Sequence, residues 1–171
     1  MILVSIGANL PGANGSSPLE TCRRAATALD ALPGLRLRGL SRWFATAPVL
    51  AEGDAGSQPE YVNGMAYLMP APGTGAVDPA ALLWQLMALE AAEGRARGAR
   101  NAPRVLDLDI IAIGDLVRIA PDPVLPHPRA HERAFVLTPL AEVAPGWTHP
   151  VTRRSVEALL SALRPQLVRP L

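Results

Sequence analysis

Apolar residues near the start and middle of the chain form short runs. Those at 2–7, 61–68 and 106–113 are bounded by glycine or proline, which is typical of strands. Leu35 and Leu37 instead alternate with arginines, which predicts a strand with one exposed face. The strand that starts at Leu35 and the one at 61–68 are expected to pair as neighbours in a sheet.

Two longer stretches repeat apolar residues at helical spacing. The first covers 18–32 and begins with Pro18, a residue suited to the first turn of a helix. The second covers 78–93, where Asp78 is a candidate N-cap and Pro79 the first helical residue. Each stretch therefore predicts a helix with a defined start.

The predicted order is strand, helix, strand, strand, helix, strand. This is the split β-α-β arrangement of ferredoxin-like proteins, with an antiparallel four-stranded sheet and both helices on one face. The rest of the chain adds a proline-rich extended stretch at 120–128, a short helix near 129–133, an apolar stretch at 135–140 and a last helix at 153–163. We expect these elements to cover the other face, so the prediction is an α+β fold, a three-layer α/β/α sandwich, in one domain over residues 1–171.

The composition narrows the possible functions. The net charge of +1 gives no indication of a nucleic-acid or membrane-surface partner. All 16 basic residues are arginine, which excludes a phosphate-binding loop of the Walker type because that loop needs a lysine. Any basic contact to phosphate must therefore use the forked guanidinium group. The single cysteine, Cys22, excludes an intrachain disulfide and a zinc ribbon, and we expect it to be a small buried residue.

The hydrophobic pattern of the sequence shows neither a signal peptide nor a membrane span. No apolar run approaches the roughly 20 residues of a membrane span, and the short apolar N-terminus has no basic leader. We therefore expect a cytoplasmic protein that binds neither a membrane nor nucleic acid, and we expect a monomer.

Two carboxylates stand two residues apart in the strand at 106–113. Side chains in a strand alternate between faces, so Asp107 and Asp109 project from the same face. Adjacent acids repel each other unless a cation lies between them, and Mg²⁺ with oxygen ligands is the usual cation in phosphate chemistry. The alternative is two hydrated acids on an exposed sheet face.

Arginines are concentrated around these acids. A basic group beside paired carboxylates is suited to a polyphosphate, because the metal bridges phosphate oxygens and the arginines neutralise the remaining charge. His127 lies between two prolines and can hydrogen-bond a phosphate, although a lone histidine is more often structural. Seven of the 16 arginines lie between 95 and 133: Arg95, Arg97, Arg100, Arg104, Arg118, Arg129 and Arg133.

Other residues fit a small heterocyclic ligand. Asn63 is unusual in a predicted strand, and its amide can recognise the edge of a polar ring. Tyr61 and Phe135 can stack on a flat ring, or simply pack in the core. Glu90 at the end of the second helix is either a hydrated acid or a ligand of a ribose or of Arg97.

Taken together, these motifs resemble the 6-hydroxymethyl-7,8-dihydropterin pyrophosphokinases of folate biosynthesis. The resemblance runs nearly end to end, and its two most specific runs contain Asp107 and His127. The matching segments are Gly7-Ala8-Asn9-Leu10, Thr46-Ala47-Pro48, Gln58-Pro59-Glu60-Tyr61-Val62-Asn63, Glu90 followed by Gly94-Arg95 and Arg97, Ala102-Pro103-Arg104-Val105-Leu106-Asp107-Leu108-Asp109, Pro126-His127-Pro128-Arg129, Arg133 with Phe135-Val136-Leu137 and Pro139-Leu140, and His149-Pro150.

The resemblance implies an activity and a set of roles. A pyrophosphoryl group would pass from ATP to the hydroxymethyl group of a reduced pterin, with release of AMP. The resemblance implies two Mg²⁺ ions on Asp107 and Asp109, and assistance to the transfer by Arg95 and Arg104. It places ATP on Glu90, Arg97, Arg104, His127 and Arg133, and the pterin on Thr46, Val49, Tyr61, Asn63 and Phe135. The loops at 45–58 and 94–104 would close over the site.

The chain departs from the family at several positions. Some members carry Trp-Gly where this chain has Asn101-Ala102, so the loop must close differently here. Asp122 and Val124 replace an arginine and a threonine found in some members, and Ala47 replaces a common proline. The alternatives to the pyrophosphokinase are another Mg²⁺-dependent phosphoryl or nucleotidyl transferase on this fold and an RNA-binding module. The acids and the aliphatic strands disfavour the RNA-binding module.

Overall fold

The computed structural model describes residues 1–12, 14–48, 59–94 and 103–171. Within these ranges the chain forms a mixed α/β fold with an antiparallel sheet and four α-helices. The elements, in chain order, are β1 (Ile2–Ala8), α1 (Pro18–Asp30), β2 (Leu35–Leu40), β3 (Phe44–Thr46), β4 (Tyr61–Pro70), α2 (Pro79–Ala92), β5 (Asp107–Ile113), a 3₁₀ turn (Ala130–Glu132), α3 (Ala134–Val143), α4 (Val156–Ala162) and β6 (Val168–Pro170).

The sheet places the acid-bearing strand beside β1. Its strand order is β5-β1-β4-β3-β6, and β2 also pairs with β4. Every pairing is antiparallel, including the predicted pairing of the strand that starts at Leu35 with β4. In the described part of the chain the sheet thus has six strands, where the sequence predicted four.

The extra strands have two causes. Ser41 lies between β2 and β3, and its N–H donates to the Met65 carbonyl at 3.0 Å while its hydroxyl accepts from the Met65 N–H at 2.9 Å. The chain therefore stays attached to β4 but shifts register between β2 and β3. The last strand, β6, has three residues, which is too few to produce a visible alternation in the sequence.

Both predicted helices begin as the sequence indicated. Ser17 caps α1 in a reciprocal capping box with Glu20: the Ser17 N–H donates to the Glu20 carboxylate at 2.7 Å, and the Glu20 N–H donates to the Ser17 hydroxyl at 3.3 Å. The Asp78 carboxylate caps α2 by accepting from the Ala80 N–H at 3.0 Å. The two helix starts therefore come from local sequence alone.

The core consists of two apolar layers, one on each side of the sheet. Ile2, Val4 and Ile6 of β1 pack with buried residues of α1 and α2, among them the fully buried Cys22. Leu3 points to the opposite side and packs with residues of α3 and α4. Burial raises the pKa of the Cys22 thiol to about 12, so the thiol stays protonated. The C-terminal elements thus cover the second face, as expected.

The apolar stretch at 135–140 proved to be part of α3, which continues through Pro139. In the described part of the chain, none of the helices is long and apolar enough to cross a membrane.

Candidate active site

A cavity opens on the sheet face that is covered by α3. It brings together side chains from β1, β3, β4, β5, α3 and the segment before the 3₁₀ turn. Most of the residues that the sequence predicted for the site, within the described ranges, belong to this cavity. Its lining includes Ser5, Gly7, Thr46, Tyr61, Asn63, Arg104, Asp107, Asp109, His127, Arg129, Arg133 and Phe135.

The two acids of β5 lie side by side in this cavity. Asp107 is opposite Gly7 and Asp109 is opposite Ser5 in the pairing with β1. Leu108, between them, is buried in the apolar layer on the other side of the sheet. The predicted alternation is therefore confirmed: both carboxylates share one face, and the aliphatic side chains hold the strand from behind.

Arg104 is the cation closest to the acids in the described part of the site. Its guanidinium group forms an ion pair with the Asp107 carboxylate, and both side chains are about three-quarters buried. Burial alone would lower the pKa of Arg104, but the charges of Asp107 and Asp109 outweigh burial and raise it. Arg104 is thus a permanent positive charge beside the paired acids.

The backbone of Arg104 is held by Asn9. The Arg104 N–H donates to the Asn9 side-chain oxygen at 2.8 Å, and the Arg104 carbonyl accepts from the Asn9 N–H at 3.0 Å. The Asn9 amide also donates to the Pro59 carbonyl at 3.3 Å. Asn9 is buried, at only 1% exposed. Its hydrogen bonds connect the end of β1 to the segments that contain Arg104 and Pro59.

His127 faces the acids in a neutral form. Burial, followed by the charges of Arg133 and Arg129, lowers the pKa of His127 to about 4. The His127 Nδ1 accepts from the Arg129 N–H at 3.2 Å, which leaves the proton on Nε2. That nitrogen lies 4.0 Å from an Asp109 carboxylate oxygen. His127 therefore presents an N–H donor to the cavity.

Glu90 is neither a hydrated acid nor a lining residue of this cavity. It is only 6% exposed, and its carboxylate accepts from the Leu108 N–H at 2.7 Å. Because Leu108 lies between the two acids, Glu90 fixes the backbone of β5 from the helix side. Of the two alternatives given for Glu90, the burial of its side chain rules out the hydrated helix-end acid.

A neutral polar pair also lines the cavity, and its Asn63 lies two strands away from Asp107, with Gly7 of β1 between them. The Asn63 amide donates to the Thr46 hydroxyl at 2.7 Å, and both residues are buried. This bond leaves the Asn63 carbonyl oxygen directed towards Gly7, where a Cβ would lie 3.3 Å from it. An amide fixed in this way can recognise the edge of a polar ring.

The start of α3 carries a cation and an aromatic ring, on the N-cap residue Arg133 and on Phe135 of the first turn. The Arg133 guanidinium carbon lies 5.5 Å from the centre of the Phe135 ring, within the range of a cation–π contact. Phe135 is half-buried against the core under α3. The ring and the guanidinium group therefore form one continuous wall.

The comparison with protein families decides the identity of this site. A family model described as 7,8-dihydro-6-hydroxymethylpterin-pyrophosphokinase (HPPK) matches residues 3–145, which include every predicted site residue. The chain belongs to the HPPK family.

Curated relatives agree with this assignment. A 2-amino-4-hydroxy-6-hydroxymethyldihydropteridine pyrophosphokinase of Pseudomonas aeruginosa is 37% identical over 158 residues, covering 92% of this chain and 89% of the relative. A protein of the same name from Synechocystis is 32% identical over 149 residues, covering 87% and 71%. The chain is therefore an ATP-dependent pyrophosphokinase of folate biosynthesis, and the predicted family is confirmed.

A solved structure shares the fold at low sequence identity. The crystal structure of an HPPK-DHPS protein in complex with substrates aligns with a TM-score of 0.62 at 13% identity. The alignment covers 94% of this chain and 43% of the other, so this chain spans less than half of that longer protein. At this identity the likeness supports the fold only.

Some HPPK residues predicted from the sequence fall outside the described ranges. These residues lie at 49–58 and 95–102, within the loops predicted at 45–58 and 94–104. They include Val49, Arg95, Arg97, Arg100 and Asn101-Ala102. Other site residues had no predicted role. Ser5, Gly7 and Arg129 line the cavity, and Asn9 supports Arg104. Gly7, Asn9 and Arg129 stand in the matching HPPK segments and Ser5 does not, and nothing local indicated what each of the four would contact.

The donor set of the HPPK cavity is compatible with magnesium. Among the described residues, no three His, Cys, Asp or Glu side chains gather into a ready-made metal cluster. Mg²⁺ does not require such a cluster, because one or two carboxylates together with substrate phosphates and water commonly complete its six ligands. Asp107 and Asp109 supply carboxylate oxygens of this kind on one rigid strand.

Proposed function

We propose that this cavity is where the chain transfers pyrophosphate from ATP to 6-hydroxymethyl-7,8-dihydropterin. The observation that carries the proposal is the meeting of three kinds of group in one cavity. Paired carboxylates line it, Arg104 and His127 lie beside them, and the neutral pair of Thr46 and Asn63 lies on the strands beyond β1. Acids with cations suit a polyphosphate, and the buried amide suits a pterin ring.

The polyphosphate end of the site would be formed around β5. Asp107 and Asp109 would hold two Mg²⁺ ions, which when bound neutralise the phosphate oxygens of ATP and the charge that develops during transfer. Arg104 and Arg133 would donate to phosphate oxygens, since a guanidinium group binds them in a fork. His127 would donate through Nε2–H, because Nδ1 already accepts a hydrogen bond.

Three further ATP contacts are expected from the family pattern. Arg97 would bind ATP, and Arg95 together with Arg104 would stabilise the charge that develops at the β-phosphorus. Glu90 would bind the nucleotide in addition to holding the Leu108 N–H. For Arg95 and Arg97, the proposal rests on their positions in the sequence alone.

The acceptor would lie between α3 and β3. Phe135 would stack on the pterin, and Asn63 would recognise the ring edge with an amide oriented by Thr46. Tyr61, which lines the same cavity, and Val49 would complete this side. The hydroxymethyl group would then point towards the acids on β5.

The main contribution of the protein to catalysis would be to position the two substrates. ATP and the pterin must be held so that the hydroxyl oxygen attacks the β-phosphorus in line with the bond to the departing AMP. Asp109 can accept the hydroxyl proton as that bond forms. The fixed positive charges, already in place before the reaction, stabilise the transferring group.

The core that carries this site would be ferredoxin-like. The strand order β5-β1-β4 with β2 beside β4 supports such a core, because α1 and α2 pack on one face of these strands. A monomer located in the cytoplasm, binding ATP and a reduced pterin but no nucleic acid or membrane, stays a prediction from the sequence.

Product analysis tests this function. The purified chain is incubated with ATP and Mg²⁺, with and without 6-hydroxymethyl-7,8-dihydropterin, and nucleotides are separated by chromatography. We expect AMP to form only when the pterin is present. ADP as the product, or AMP with free pyrophosphate, would instead support another phosphoryl or nucleotidyl transferase.

A further inference from the structure

The C-terminal segment contacts the site from outside the span of the family match. The match ends at residue 145, whereas Gln166 and β6 lie more than 20 residues further along the chain. The Gln166 side-chain oxygen accepts from the Ala134 N–H at 2.9 Å. Its side-chain amide donates to the Glu132 carbonyl at 3.3 Å. One side chain thus binds the backbone on both sides of Arg133.

These two hydrogen bonds replace the side-chain cap that is missing at the start of α3. The first N–H groups of a helix have no partner within the helix, and the N-cap side chain usually supplies an acceptor. The N-cap residue here is Arg133, whose guanidinium group has no acceptor atom. Gln166 caps the helix in its place, from a distant part of the chain.

The cap lies directly beside two side chains of the cavity wall. Arg133 and Phe135, at the start of α3, both line the cavity, and the guanidinium group lies over the ring. A helix start that frays would change the direction of both side chains. The two Gln166 hydrogen bonds therefore fix the orientation of the Arg133 and Phe135 side chains in the cavity wall.

The same segment also holds a second wall of the cavity, the strand β3 that carries Thr46. β6 pairs with β3, placing Val168 opposite Thr46 and Pro170 opposite Phe44. The Leu171 N–H continues the contact by donating to the Trp43 carbonyl at 2.9 Å. β3 has only three residues, so its pairing with β6 on one side and β4 on the other sets the position of Thr46.

We propose that residues 166–170 form a brace that positions both walls of the acceptor site. The brace holds Phe135 through Gln166 and Thr46 through β6, and so sets the width of the slot between them. Gln166 is a positioning residue that acts through Arg133 and Phe135. This inference rests on the proposed binding of the pterin between these walls.

Substitutions of Gln166 test the brace at one wall. Gln166→Ala removes both hydrogen bonds, and we expect a roughly five- to tenfold higher KM for the pterin with a much smaller change in kcat. Gln166→Glu keeps an acceptor for the Ala134 N–H but loses the donor to Glu132. We expect this variant to recover part of the affinity, with a KM roughly two- to threefold above that of the unchanged chain.

The matched control is Leu167→Ala, a substitution in the same segment at a side chain that is 76% exposed. It should leave both KM values unchanged. If Gln166→Ala lowers the melting temperature but keeps the original pterin KM, the segment only stabilises the fold and the proposal is wrong. An equal KM change in Leu167→Ala would also overturn it.

A chain shortened after Pro165 tests both walls together. If circular dichroism shows that the shortened chain is folded, we expect its pterin KM to rise more than that of Gln166→Ala, because β3 also loses its partner strand β6. A folded shortened chain with unchanged pterin KM would contradict the brace. If it does not fold, the Gln166 variants decide alone. AMP release by the unchanged chain tests the proposed function separately, since that result does not depend on the brace.

Discussion

The Glu90 carboxylate accepts a hydrogen bond from the Leu108 N–H at 2.7 Å, at the one backbone position between Asp107 and Asp109. The acid comes from α2 and the amide from β5, so the contact joins two elements across the apolar layer. It fixes the strand that carries both carboxylates without using either carboxylate. The spacing of the acids in the cavity thus depends on a buried residue that does not line it.

Removing this contact should weaken the fold as well as the activity. Glu90→Ala leaves a buried N–H without its acceptor, so we expect the free energy of unfolding to fall by about 1–3 kcal/mol. Glu90→Gln retains an oxygen that can accept the bond and should keep most of the stability. Urea unfolding measures both, with the exposed helix acid substitution Glu157→Ala as control. Equal stability of Glu90→Ala and the unchanged chain would contradict this role.

The pair of Asn63 and Thr46 gives a prediction for the acceptor. Thr46→Val keeps the shape of the side chain but removes the hydroxyl that accepts from the Asn63 amide. Losing a bond worth about 1 kcal/mol should raise the pterin KM roughly fivefold, while the ATP KM stays within about twofold. Steady-state kinetics with each substrate varied in turn provides the measurement.

The control is Thr152→Val, at an exposed threonine outside the cavity lining. A change in ATP KM alone after Thr46→Val would show that this pair does not serve the pterin.

Gly7 leaves space at the floor of the cavity. A Cβ at this position would lie 3.3 Å from the Asn63 carbonyl oxygen and 4.0 Å from the Asp107 Cβ. The backbone of Gly7 is not in the left-handed region, so Gly7→Ala should keep the melting temperature within a few degrees. We expect catalytic efficiency for the pterin to fall roughly tenfold, because the added methyl group displaces the Asn63 amide.

Gly75→Ala is the matched control, because nothing lies within 4 Å of its Cβ position. If Gly7→Ala is as active as Gly75→Ala, the space at Gly7 has no part in pterin binding.

The lowered pKa of His127 should make the stability of the fold depend on pH. Its pKa is about 4 in the folded chain, chiefly through burial, and about 6.5 when unfolded. Between these values the unfolded chain binds more protons, so the free energy of unfolding should fall as pH falls from 6.5 to 4. The expected loss from this residue is roughly 3 kcal/mol by pH 4.

The measurement compares urea unfolding at pH 7 and pH 4 without ATP or Mg²⁺. His127→Gln should lose less stability over this interval than the unchanged chain. An equal loss in both would show that His127 is not buried in a neutral form.

The elements that the sequence predicted share one property: their signal is local. The alternation around Asp107, the helix start at Pro18 and the cap at Asp78 each involve residues within one turn or one strand. The resemblance added the substrates, because the paired acids alone were compatible with several phosphate-transfer reactions.

The contacts that the sequence did not predict join distant positions. Asn9 and Arg104 are 95 residues apart, and Gln166 and Ala134 are 32 apart. No periodicity or short motif in a single sequence links such positions. The burial of Glu90 was unexpected for a related reason, since acids at helix ends are mostly exposed unless a distant partner binds them.

The most direct test of pyrophosphoryl transfer traces the two terminal phosphates of ATP. Separate reactions with ATP labelled at the β- or γ-phosphate, each with Mg²⁺ and 6-hydroxymethyl-7,8-dihydropterin, should transfer both labels to the pterin with one AMP per turnover. Asp107→Asn and Asp109→Asn should remain folded and lose about a thousandfold in rate, since the charge stabilisation they support is worth several kcal/mol. Transfer of the γ label alone, or full activity in either variant, would contradict pyrophosphoryl transfer at this pair of acids.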